Sequence, residues 1–205
     1  MRFCLAALMP LLLFASGAQA RQVKPIQPLA LVGQPVRITG MDLAFASGIL
    51  DELAESDAKA ARKRADAQLP PLDPASYPAG SFDGDAYSTM PFKQMFPLVI
   101  RDVTRDWRLD SGTPVFLRVT IDDLKTADAA VAILLGASAD MLRGTVDVID
   151  AGSGASVGSF RVEVVDVRAG WAGMLVRGGG IRERLAEEFG MEISRYISGR
   201  KKKDS

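Results

Sequence analysis

The sequence predicts an α/β (or α+β) fold, with a small mixed sheet of about four strands packed by two to three helices. Three observations carry this reading. Residues 145–150 and 159–165 each alternate apolar and polar side chains and flank a Gly/Ser turn at 151–154, the pattern of a β-hairpin with one buried face. Phe92, Phe96, Val99, Ile100, Val103 and Trp107 recur at helical spacing. Ile181, Leu185, Phe189, Ile193 and Ile197 form a second stripe, one residue every four, beside Ala186 and Tyr196.

Taken in order, residues 1–20 read as a leader outside the fold. Arg2 is followed by an apolar run from Leu5 to Phe14, and Ala18-Gln19-Ala20 supplies small residues at a cleavage position. Cleavage between Ala20 and Arg21 makes Arg21 the mature amino terminus and leaves no transmembrane anchor. The apolar run is shorter than the roughly 20 residues a membrane-spanning helix needs. Cys4 precedes the run, whereas a lipidated cysteine stands at the cleavage point. The expected product is an exported soluble protein of the periplasm, or a secreted one.

Residues 21–88 read as an extended lead-in, a helical arm and a Pro-rich loop. Pro25, Pro28 and Pro35 favour extended backbone over 21–35. Val36-Arg37-Ile38-Thr39 alternates as a short strand that Gly40 should end. From Ile49 the composition turns helical, with Ile49, Leu50, Leu53 and Ala54 on one face and only alanines as apolar residues beyond Ser56. That second half reads as a solvated arm, stopped by Pro70, Pro71 and Pro74, and residues 69–88 read as a long adaptable loop.

Residues 89–199 are the expected core domain. Pro91 suits a helix start, and Pro97 implies that the helix is kinked there or begins there. A turn at 110–114 leads into a strand over 115–121. The apolar run 127–136 fits either a buried strand or a short helix. The hairpin follows, then a Gly-rich stretch at 167–180, the last helix, and a basic tail over 200–205.

Composition limits the chemistry. The chain has 25 basic and 25 acidic residues; removing Arg2 with the leader leaves 24 against 25, a net charge near −1 that argues against nucleic-acid binding. There is no histidine, and Cys4 is the one cysteine, so the mature chain has neither. Ser-His-Asp and Cys-His nucleophilic machinery is excluded, as are the usual zinc and copper sites and stabilising disulfides. Carboxylate, lysine, tyrosine or serine chemistry is what remains.

Several residues invite a functional reading. Asp122 and Asp123 at a strand end, and Asp147 and Asp150 on the hairpin, could form an acid/base pair acting on an envelope glycan. Asp147 and Glu163 alternate with apolar neighbours, however, and Asp150 begins a turn, so structural roles come first. Asp140, Asp147 and Asp150 lack calcium-loop spacing. Gly178-Gly179-Gly180 between Arg177 and Arg182 resembles an anion cradle but fits no phosphate-loop pattern. Trp171, Met174, Leu175 and Arg177 on the Gly-rich stretch are the candidate partner contact. No catalytic, cofactor or metal residue is expected.

Residues 115–198, together with the helix at 91–107, resemble an uncharacterised family of bacterial exported proteins and lipoproteins. The shared pattern, L-x-G-x-V-x-V-x-D-A-x-x-G, is carried here by Leu142, Gly144, Val146, Val148, Asp150, Ala151 and Gly154. The resemblance implies a fold similar to the amino-terminal domain of TolB and to outer-membrane lipoproteins that activate peptidoglycan synthases. It implies no catalytic residues. This chain departs from many relatives in having no lipidated cysteine. The resulting expectation is a non-enzymatic envelope accessory protein that recognises an envelope protein or a cell-wall component. An acidic-pair hydrolase and a self-assembling structural subunit are the alternatives, and the oligomeric state is not determined by the sequence.

Overall fold

A computed structural model describes residues 19–71, 87–126, 139–167 and 180–200. They form a mixed α/β fold around one five-stranded sheet. The strands are β1 (Gln19–Gln27), β2 (Val36–Phe45), β3 (Thr113–Lys125), β4 (Ala139–Asp150) and β5 (Ser156–Val167), and the helices are α1 (Leu50–Asp66), α2 (Phe92–Asp106) and α3 (Ile181–Ser198). The sheet order is β1-β5-β4-β3-β2. β2 and β3 run parallel and every other neighbour is antiparallel. A parallel pair needs a long crossover, and the chain from α1 through α2 supplies it. None of the described helices is long and apolar enough to cross a membrane.

Alternation decides which face is covered. Val115, Leu117, Val119 and Ile121 on β3, Leu142, Val146 and Val148 on β4, and Phe160, Val162 and Val164 on β5 are all buried. They meet Phe96, Val99 and Ile100 of α2 and Leu185, Phe189 and Ile193 of α3 in one core cluster. Burying each such side chain contributes about 1.5–3 kcal/mol. The motif residue Gly144 has a steric reason. A Cβ there would lie 2.7 Å from the Thr120 carbonyl oxygen and 3.2 Å from the Phe189 ring, so the bare glycine lets α3 settle on the sheet.

Four sequence expectations need correction. The segment 21–35 is no lead-in outside the core domain: most of β1 lies within it, paired with β5 from Gln19↔Asp166 to Gln27↔Ser159. Proline is tolerated there because β1 is an edge strand. Lys24, Pro25 and the register shift between Pro25 and Gln27 also blunt that edge against strand addition. Second, Gly40 does not end β2; the register shifts between Ile38 and Gly40 and the strand continues to Phe45. A bulge absorbs the glycine instead of terminating the ladder. The core therefore draws on residues before 88, with Leu29, Val36, Ile49 and Leu53 in the same cluster as α2 and α3.

Third, of the two readings of Pro97 the helix start is ruled out: α2 begins at Phe92, directly after Pro91, and Pro97 lies inside it. Proline lacks the N–H that would bond the carbonyl four residues back. Here that carbonyl belongs to Lys93, an exposed residue within reach of water. Fourth, α1 is not a purely solvated arm beyond Ser56. Ala60 is buried, and the Asp57 carboxylate accepts a 2.7 Å hydrogen bond from the Phe92 backbone N–H. Pro91, at the N-cap position, offers no side-chain cap, so a residue from another helix caps α2. The run 127–136, most of the loop 69–88 and the tail beyond Arg200 lie outside the described residues.

Arg182 joins these pieces. Its guanidinium donates to Ser56 Oγ at 3.1 Å, Asp57 Oδ1 at 3.0 Å and the Met90 carbonyl at 2.8 Å. Only 8% of the residue is exposed. One buried cation thus ties α1, the segment before α2 and the start of α3.

Candidate functional site: the open face of the sheet

Because α2 and α3 cover one face, the alternate residues of each strand form a second face that no described helix covers. Antiparallel register places Arg118 beside Asp147, Thr120 beside Thr145, and Phe116 beside Ile149. β4 and β5 add Asp147 beside Ser159, Thr145 beside Arg161 and Arg143 beside Glu163. On the far side, parallel β2 sets Asp42 beside Arg118.

Most charges on this face neutralise one another. Arg143 Nε donates to Glu163 Oε2 at 2.9 Å and its guanidinium lies 3.8 Å from Asp123. Arg161 donates to Asp122 Oδ2 at 2.8 Å, and the Thr145 hydroxyl reaches the same oxygen at 3.5 Å. Cross-strand pairs of this kind contribute roughly 0.2–1 kcal/mol each. They fix long side chains in place and leave a flat, polar, nearly neutral surface.

At the hairpin end this face dips into a shallow depression of ≈ 510 Å³, lined by Phe116, Arg118, Asp147, Ile149, Asp150 and Ser156 among others. Gly40 shapes it: a Cβ there would stand 3.0 Å from the Phe116 ring, so the ring lies against bare backbone. The depression combines an aromatic surface with a guanidinium donor, carboxylate acceptors and the Ser156 hydroxyl.

Asp147 and Asp150, the hairpin carboxylates of the acid/base reading, both line this depression. Asp150 is committed to the turn, where its Oδ1 accepts from Gly152 N at 3.1 Å, Ser153 N at 2.7 Å and Ser153 Oγ at 2.7 Å. The Ser153 hydroxyl, then the Ser153 backbone N–H, hold its carboxyl below the ordinary aspartate range. It is ionised at neutral pH and has no proton to donate. Asp122 and Asp123 are elsewhere on the open face, each in ion pairs.

The remaining candidates separate. Trp171, Met174, Leu175 and Arg177, with Gly178 and Gly179, lie outside the described residues. Gly180 is the N-cap of α3 with φ +75°, a left-handed conformation that suits glycine. Arg182 turns toward α1, not toward an anion cradle. Trp107 is partly buried against the core, with the Arg200 guanidinium 5.5 Å from its ring centre. Ala20 and Arg21, the expected cleavage pair, sit in β1 opposite Val165 and Val164. Among the described residues no cluster of acidic side chains is arranged to hold a metal ion.

Sequence reasoning missed the depression. Alternation places Phe116 and Ile149 on strands, but their meeting depends on β3–β4 register and on Gly40 from β2. No local pattern encodes that.

No family model matches the chain, and no curated protein matches it. Among solved structures, a PelC dodecamer from Paraburkholderia phytofirmans aligns with 90% of this chain and 99% of its own, at 11% identity and a TM-score of 0.35. A second crystal form of that PelC dodecamer aligns with 86% of this chain and 96% of its own, at 12% identity and a TM-score of 0.31. A Caulobacter crescentus protein described as a lipoprotein aligns with 51% of this chain and 81% of its own, at 16% identity and a TM-score of 0.33. Likenesses at these scores assign neither a family nor a role.

Proposed function

We propose that this protein is an exported, non-enzymatic accessory protein of the cell envelope that holds a cell-wall glycan on the open face of its sheet. The leader-like sequence of residues 1–20 and the resemblance of residues 115–198 to exported envelope proteins support the location. The depression beside the hairpin supports the mode of binding. Donors and acceptors alternate there around the Phe116 ring, with the surrounding charges largely paired. That arrangement suits a neutral chain rich in hydroxyl and amide groups better than a strongly charged polymer. Arg118 and Asp147 can hydrogen-bond hydroxyls in opposite senses, while Phe116 and Ile149 pack against the apolar face of a sugar ring.

The acidic-pair hydrolase is disfavoured by the hydrogen bonds to Asp150. A glycosidase pairs a protonated general acid with an ionised base or nucleophile; Asp150 is held ionised and is not the acid, and its Oδ1 is taken up by the turn. Co-sedimentation with purified peptidoglycan sacculi tests the proposal. The wild-type protein should pellet with sacculi, and Arg118→Ala and Phe116→Ala variants of unchanged stability should stay in the supernatant. Equal pelleting by all three would sink the assignment of the site. Release of soluble sugar fragments, lost in Asp147→Asn, would replace binding with catalysis.

A further inference from the structure

The hairpin end of the sheet has a second surface, on the helical side and away from the depression. Three segments are drawn together there by backbone hydrogen bonds of 3.0 Å. The Ala30 N–H donates to the Val157 carbonyl, the Gly33 N–H to the Ile197 carbonyl and the Thr113 N–H to the Pro35 carbonyl. The loop between β1 and β2 is thus pinned to β5, to the last turn of α3 and to the start of β3. Gly199 follows α3, and a Cβ there would lie 3.2 Å from Gly33 Cα and 3.3 Å from Val32 Cγ1, so the loop rests directly on the helix end.

This surface brings exposed apolar side chains and basic charge together. Val32 is 46% exposed, and Ile26, at the bulge where β1 leads into the loop, is 62% exposed. Beside Val32 runs a groove of ≈ 200 Å³, lined also by Val23, Tyr196, Arg195 and Arg200. Arg195 is ion-paired with Glu192, and the exposed Arg105 and Arg108 at the end of α2 are matched in number by the exposed Asp106 and Asp110. The basic excess comes from Arg200, whose guanidinium lies 5.5 Å from the Trp107 ring centre, and from Lys201, Lys202 and Lys203 next in the sequence. Residues 200–205 hold four basic and one acidic residue, which leaves 20 basic and 24 acidic for residues 21–199. An otherwise acidic chain concentrates its positive charge beside exposed apolar groups.

We propose that this end of the protein docks on a bilayer that contains anionic lipid, with Arg200 and the three lysines at the headgroups and Val32 and Ile26 entering the interface. The combination of groups decides for a lipid surface. A soluble polyanion would neutralise the lysines and leave Val32 and Ile26 in water. A bilayer receives both, because anionic headgroups attract basic residues and the acyl boundary beneath them takes up apolar side chains. The acidic remainder of the chain is repelled by the same headgroups, which turns the last residues of α3 toward the lipid. Attraction of this kind is reversible and weakens as salt shortens the Debye length. The groove and the glycan-binding depression lie on opposite faces of the sheet, so neither contact obstructs the other.

Vesicle flotation tests the docking, with protein recovered after export and checked by mass for loss of the apolar run Leu5 to Phe14. It should float with vesicles of phosphatidylglycerol and phosphatidylcholine in equal parts, stay behind with phosphatidylcholine alone, and come off in about 1 M salt, where the Debye length is about 3 Å. Each basic residue near an anionic surface counts for about fivefold in partitioning. Lys201→Gln, Lys202→Gln and Lys203→Gln together should therefore weaken binding by about a hundredfold. Ile26→Ser with Val32→Ser leaves every charge in place and should weaken it on the order of tenfold. Both variants should melt with the wild type and pellet with sacculi as it does, which keeps the result separate from the glycan reading. Equal flotation with the two vesicle types, or binding untouched by the lysine substitutions, would overturn the proposal. Full binding by the serine variant would overturn it as well and mark a soluble polyanion as the partner.

Discussion

Replacing Arg182 with methionine removes one guanidinium and keeps most of the apolar stem. The change breaks hydrogen bonds to Ser56, Asp57 and the Met90 carbonyl, all within 2.8–3.1 Å. Removing one partner of a buried pair costs about 3–5 kcal/mol, because the other partner stays buried and unmatched. Asp57 is the more exposed partner, at 26% of its side chain against 9% for Arg182, so the lower half of that range is expected. For a chain of this size each kcal/mol moves the melting temperature by about 2–4 °C, giving a drop of roughly 6–16 °C. Urea unfolding should show a lower midpoint with the slope unchanged. In a double-mutant cycle, Asp57→Asn keeps an oxygen acceptor for the Phe92 N–H but loses the ion pair. Its coupling to Arg182→Met should lie at about 0.5–3 kcal/mol. A variant within about 1 kcal/mol of wild type, or strict additivity with Asp57→Asn, would refute the claim that Arg182 joins α1 to the core.

Other substitutions probe separate parts of the structure. Gly144→Val should destabilise by about 1–3 kcal/mol through overpacking against Phe189 and the Thr120 carbonyl, a loss measurable by thermal unfolding. Asp150→Ala should weaken the hairpin turn. Because the folded carboxyl is held below its unfolded value, its contribution is present above about pH 4. It is lost as pH falls through the folded value, so wild type and variant should converge in acid-unfolding curves. Glu187→Gln should act in the opposite sense. Burial raises that carboxyl, so the ionised group opposes folding at neutral pH. The variant should be the more stable at pH 7, with the gain fading as pH falls through the raised folded value and gone below about pH 4.

What could be read in the sequence was what local periodicity encodes. The hairpin follows from alternation around a Gly/Ser turn, and α3 from its four-residue apolar repeat. β1 was obscured by Pro25 and Pro28, because proline signals irregular backbone unless one knows that the strand lies at an edge. β2 was cut short at Gly40, where a bulge continues the ladder. The capping of α2 was illegible: Pro91 offers no side-chain acceptor, and Asp57 lies 35 residues away in the chain. Arg182 pairs with Asp57 across 125 residues, a contact that no spacing rule finds. The depression had the same difficulty. Asp147 and Asp150 stand out on the hairpin, but Phe116 and Arg118 join them only through sheet register, and Gly40 only through packing against Phe116.

A neutral cell-wall glycan held on the open face at the hairpin end would perturb that face and leave the helices alone. Amide chemical-shift mapping during titration with soluble peptidoglycan glycan fragments tests it most directly. Saturable shifts are expected at Phe116, Arg118, Asp147, Ile149 and Ser156, with α2 and α3 unmoved. Shifts confined to the helical face, or a spectrum unchanged at millimolar fragment, would contradict it.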